Sequence, residues 1–198
     1  MGKFKWRTLK RLNTPEKIQD FINRLPFNFE KRGETYMSVA RSLKTGRIHC
    51  FEGALIAAAA LWIQGERPLL LDLKPDKSDI DHVVALFRRN GFWGAISKTN
   101  HAVLRYREPV YKSIRELAMS YFHEYFLNNG KKTLRSYSRP FNLRGRKGWL
   151  AGEEELFGLV DALDNSPHIK LLDTRQVKGL RRAEPIEIKA GMIQEYKG

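Results

Sequence analysis

The chain has 198 residues, 42% of them apolar, 11% aromatic and 29% charged, which is the composition of one soluble globular domain. Its single cysteine, Cys50, excludes an intrachain disulfide framework and any multi-thiolate metal centre, and points to a cytoplasmic protein. The 36 lysines and arginines against 22 acidic residues give a net charge of +14, which suits a polyanion such as nucleic acid or an acidic protein but specifies no chemistry.

The first eleven residues interleave basic and apolar side chains and lack the apolar run and cleavage site of a secretory signal. Thr14-Pro15-Glu16 reads as an N-cap with proline at the first helical position, and Ile18, Phe21, Ile22 and Leu25 recur at helical spacing up to Pro26. Tyr36, Met37, Val39, Ala40 and Leu43 predict a second helix, ended by Thr45-Gly46. From residue 50 to 64 nearly every side chain is apolar or small, with four alanines in a row at 57–60, so this helix should be buried on all sides. Its apolar run is far shorter than the roughly 20 residues of a membrane span, and no transmembrane segment is expected.

Residues 67–73 predict the first strand. Apolar residues 82–87 and 92–96 flank Arg88-Arg89-Asn90-Gly91, a strong hairpin signal. Residues 101–106 are expected to form another strand, and Pro109 to introduce a helix carrying Ile114, Leu117, Ala118, Tyr121, Phe122 and Tyr125, stopped by Asn128-Asn129-Gly130. Residues 131–147 hold seven basic residues and no acid and read as a basic loop or edge segment. Residues 153–163 resume a helical pattern with three glutamates at its positive end, and the last thirty residues show no clear period. The organisation is a single domain over residues 1–198, with a motif-bearing core at about 35–126 and a basic extension at about 131–198. Residues 1–50 carry 12 basic and 4 acidic side chains, residues 51–130 carry 10 and 9, and residues 131–198 carry 14 and 9, so the nearly neutral middle must be read for chemistry.

Cys50 opens the apolar helix, where the helix dipole and free N–H groups favour thiolate over thiol. Alone it would read as a small buried hydrophobe. His82 lies 32 residues downstream at the start of the hairpin, and the pairing makes a nucleophile and a base. Trp93 on the return strand is an aromatic anchor, placed as a wall of the substrate cleft. Ser97 and Asn100 follow just beyond that strand. His49, next to Cys50, is expected to face elsewhere on the helix, and His101 and His123 to be packed or capped. No histidine or cysteine spacing suggests a metal, so neither metal nor cofactor is expected.

A buried helix opening with Cys50-Phe51-Glu52-Gly53-Ala54, then Asp81-His82-Val83-Val84-Ala85-Leu86, then Asn90-Gly91-Phe92-Trp93-Gly94-Ala95-Ile96-Ser97, resembles the transglutaminase-like superfamily of papain-like cysteine enzymes. The resemblance covers about residues 35–105. It implies an α+β fold in which the cysteine-bearing helix packs on an antiparallel sheet. It also implies acyl transfer or amide hydrolysis through a Cys50 thioester on a peptide or amide substrate, with His82 moving the proton. Where the family commonly has aspartate to hold the imidazole, this chain has Ser97. Asn100, whose side-chain carbonyl can accept the imidazole N–H, ranks first for that role and Ser97 second. The alternative is a catalytically impaired module of the same fold that engages nucleic acid or an acidic partner through its basic ends.

Overall fold

The computed structural model describes residues 6–31 and 33–197. The reading of the first residues, 1–5, lies outside them.

The apolar run from residue 50 becomes α4, Cys50–Ile63, in which every residue from Phe51 to Leu61 is buried. Three helices pack round it: α1, Trp6–Arg11; α2, Pro15–Asn23; and α3, Val39–Thr45. Thr14 caps α2 through its hydroxyl, which accepts the Lys17 N–H at 3.3 Å, and Pro15 sits in the first turn as its fixed φ favours. Ser38 caps α3. The four alanines at 57–60 are essentially inaccessible, and their small side chains let the surrounding backbones approach closely.

The antiparallel sheet comprises β1, Leu69–Pro75; β2, His82–Arg89; β3, Phe92–Ile96; β4, Arg107–Tyr111; β5, Leu134–Ser138; β6, Phe141–Asn142; and β7, His168–Lys170. Its order is β4-β3-β2-β1-β5-β7, with β6 also pairing β1. The β2–β3 turn places Asn90 at φ 52° and Gly91 at φ 86°, both positive as a two-residue primed turn requires. Successive strand residues face opposite cores. Leu70, Val83, Ala85, Phe87 and Ile96 join the α4 side, whereas Leu71, Leu73, Val84, Leu86 and Ala95 join Leu117, Tyr121 and Tyr125 on the other. The protein is thus α+β, and among the described residues no helix is long and apolar enough to cross a membrane.

Four expectations are corrected. Residues 101–106 form a loop with one isolated bridge, and the strand begins at Arg107, accommodating Pro109 because β4 is at the sheet edge. The next helix, α5, Ile114–Ser120, starts at Ser113, whose hydroxyl accepts the Glu116 N–H, rather than at the proline. Residues 134–138 form β5, paired on both sides: the buried Leu134 and Tyr137 outweigh the surrounding charge, and Arg135 and Lys131 are neutralised by Asp76. Residues 153–155 precede α6, Phe157–Asp164; instead of serving its dipole, Glu155 accepts the Tyr36 N–H at 2.5 Å and pairs with Arg41 at 2.6 Å. The last thirty residues contain α7, Thr174–Lys178, and α8, Pro185–Gly191.

Candidate functional site

Where the start of α4 meets the start of β2, a cavity of about 420 Å³ opens, with Cys50, His82, Asn100, Phe27 and Tyr125 among its walls. Cys50 is half-buried. Gly53, one helical turn on, is what brings the loop beyond β3 this close: a Cβ there would stand 2.5 Å from Cβ of Lys98. Lys98 is buried, lines the same cavity and donates to the Leu25 carbonyl at 2.6 Å; burial pulls its ammonium down to about 8.

The hydrogen bonds around His82 fix its tautomer. Its Nε2 lies 2.8 Å from Ser97 Oγ, and Ser97 Oγ lies 2.5 Å from the Leu104 carbonyl oxygen. A carbonyl only accepts, so the single serine hydrogen goes to Leu104 and the serine oxygen must accept from His82 Nε2–H. In the neutral ring the other nitrogen, Nδ1, is then the one that carries no hydrogen. Ser97 is itself immobilised. The Gln19 amide on α2 grips its backbone twice, Nε2 donating to the Ser97 carbonyl at 2.7 Å and Oε1 accepting its N–H at 3.0 Å. Leu104 aims its carbonyl from a left-handed backbone, φ 61°, while its N–H donates to Glu124 at 2.7 Å.

Cys50 Sγ lies 3.9 Å from His49 Nδ1, and His82 lines the same cavity as the sulfur. Burial pushes the thiol up, but these two imidazoles and their positive charge outweigh it and hold Cys50 well below the usual thiol range. No family model matches the chain, and no curated protein does.

The predicted site residues divide accordingly. Cys50, His82 and Ser97 come together. Asn100 lines the cavity but does not orient the imidazole: its Oδ1 accepts the Tyr196 N–H and its Nδ2 donates to the Tyr196 carbonyl, both at 2.9 Å, pinning the C-terminal segment. The ranking of Asn100 over Ser97 is therefore reversed. Trp93 is not among the residues lining the cavity; it pairs with Arg88 at the far end of the hairpin, the guanidinium 5.4 Å from its ring.

His49 was expected to face elsewhere, and instead its Nδ1 stands 3.9 Å from Cys50 Sγ. The rule of helical faces fails because His49 is the N-cap, extended at φ −106° and ψ −165°, and not a helical residue. Its Nε2 donates to the Thr35 carbonyl at 2.7 Å and lies 3.4 Å from carboxylate oxygens of both Glu30 and Glu52. Glu52, fully buried, accepts the His49 N–H at 2.9 Å and the Met37 N–H at 3.2 Å, closing a capping box. The signal for both residues was the capping-box spacing from His49 to Glu52.

Among the described residues one group has metal-ligand spacing: Asp72, Asp81 and Asp164. It is already supplied with cations. His168 donates Nδ1–H to the Ser166 carbonyl at 2.7 Å and Nε2–H to Asp72 at 3.0 Å, so it carries both protons and is charged. Lys74 stands 3.7 Å from Asp81 and 3.9 Å from Asp164. Burial and Asp72 push the Asp81 carboxyl up to about 6, and the Asp72 Oδ1 has no hydrogen-bond partner among the described residues.

Proposed function

We propose that the protein is a thiol enzyme of the transglutaminase-like type, which transfers or hydrolyses acyl groups of amide or peptide substrates through a Cys50 thioester. The observation that carries the reading is the relay from His82 Nε2–H to Ser97 Oγ to the Leu104 carbonyl, with His82 beside Cys50 in one cavity. In the reaction, the Cys50 thiol gives its proton to His82 Nδ1, Sγ attacks the amide carbonyl carbon, and His82 Nδ1–H then protonates the leaving amine as the C–N bond breaks. Water or a second amine, giving its proton to Nδ1, then attacks the thioester and frees the sulfur. The Cys50 backbone N–H at the helix start is suited to the carbonyl oxygen as it gains charge. Serine can fill the family's aspartate position because holding the tautomer needs an acceptor and not a charge.

The binding-module alternative draws less support, since Lys131 and Arg135 of the basic segment are already paired with Asp76.

The test is covalent trapping. An activated acyl ester should leave one acyl group on Cys50, detected by mass spectrometry, and none in Cys50→Ala. Iodoacetamide should label Cys50 well below the pH of an ordinary thiol, near 8.5. Absence of an acyl adduct on the wild type defeats the proposal, whatever the pH at which Cys50 labels.

A further inference from the structure

Cys50 stands between two imidazoles, and one cation suffices to hold a thiolate. His82 lines the cavity and belongs to the relay that moves protons to substrate. His49 is buried, is not among the residues lining the cavity and has its Nε2–H committed to the Thr35 carbonyl, so no substrate proton can pass through that nitrogen.

A cation at the start of α4 faces the positive end of the helix dipole and should be unfavourable there. Two features reverse this. Glu30, from the loop before α3, and Glu52, from the first turn of α4, each place a carboxylate oxygen 3.4 Å from Nε2. On the other side of the ring, Nδ1 has two competing partners: the Phe51 N–H, 3.3 Å away, which it accepts when neutral, and Cys50 Sγ, 3.9 Å away, to which it donates when protonated. Protonation thus trades one capping hydrogen bond for an ion pair with sulfur. The remaining titratable neighbour is Tyr36, whose ring meets the imidazole edge-on at 6.0 Å. Burial pushes Tyr36 up to about 12, so it stays neutral and does not compete.

We infer that His49 is the counter-ion of the Cys50 thiolate, a positioning residue that acts through the sulfur and leaves His82 as the group that moves protons. The inference deepens the proposed function and rests on it for its catalytic meaning. Burial opposes the charged ring, yet the bond to Cys50, the charges of Cys50 and Glu52 and the Thr35 carbonyl carry His49 up to about 10.

The experiment compares iodoacetamide labelling of Cys50 against pH in the wild type, His49→Asn and His82→Ala, with acyl adduct formation measured alongside. Asparagine keeps an N-cap acceptor while removing the charge, so His49→Asn should lose stability but still unfold in one cooperative transition. Its labelling curve should move up by at least about one pH unit toward 8.5. In His82→Ala the low-pH labelling should persist while acyl transfer is lost. Glu30→Gln, which leaves the cap untouched, should shift the curve in the same direction by less. The inference is overturned if His49→Asn labels like the wild type and His82→Ala alone moves the curve. An acyl adduct on the wild type with that outcome leaves the proposed function standing. A His49-dependent low-pH curve with no acyl adduct keeps the ion pair and removes the enzyme. If His49→Asn does not fold, an unshifted Glu30→Gln curve overturns the inference in its place.

Discussion

Two partly buried clusters of charge lie close to the start of β2, and they are built on opposite plans. Around Cys50 the imidazoles of His49 and His82 converge on a sulfur that borders a cavity. Around Asp72 three carboxylates are met by His168 and Lys74, and the innermost carboxylate is sealed from solvent. Both are costly in a low-dielectric interior. What separates a reactive centre from a structural one is whether its most reactive atom keeps a free approach after its partners are satisfied.

That contrast can be broken most severely at its two central atoms. Cys50→Ala should abolish acyl turnover with the melting temperature little changed, read by product formation and thermal unfolding. Asp72→Ala should do the reverse, destabilising the fold by about 3–5 kcal/mol in urea unfolding, because it strands the His168 imidazolium without its buried counter-charge. A loss of the same size for Cys50→Ala would place it among the structural residues.

Smaller changes sharpen the comparison. Ser97→Ala removes the acceptor of His82 Nε2–H and should lower turnover by about 10–100-fold, as loss of an orienting partner does, while the labelling of Cys50 at low pH changes little. Gly53→Ala should cost about 1–3 kcal/mol, since the added methyl overlaps Lys98 Cβ. The last test is one of pH. Asp81 is raised to about 6 in the folded state, above its ordinary 3.8, so its contribution to stability is full below 3.8 and is lost as pH rises through 6. Asp81→Asn should therefore gain on the wild type over that interval, measured as the difference in unfolding midpoint at pH 4 and pH 7. His49 behaves likewise over a higher window: its stabilising charge is present below 6.5 and lost as pH approaches 10.

Much of the frame was legible because local rules coincide with the tertiary outcome. The alanine-rich run is α4, Asn90-Gly91 turns the hairpin, and Cys50 and His82 sit at the ends where their neighbours placed them. The orienting residue was not legible. Ser97 outranks Asn100 because of Leu104, whose left-handed φ is not written in its residue type, and because Tyr196, 96 positions away, claims the asparagine amide. His49 was missed for a different reason: helical geometry was applied to a residue one step before the helix. The strand at Leu134 was hidden by flanking charge whose partner, Asp76, lies in another segment.

The grip of Gln19 on Ser97 spans 78 positions of sequence. The serine that steadies the imidazole owes its own placement to α2, a helix contributing no atom to the cavity wall. Until that helix docks against the return strand, the peptide plane at Ser97 is free to turn and the imidazole has nothing fixed to lean on. On the proposed mechanism, alignment of the imidazole thus awaits a closure that local structure cannot make, so a partly unravelled molecule would carry the sulfur without its partner in place.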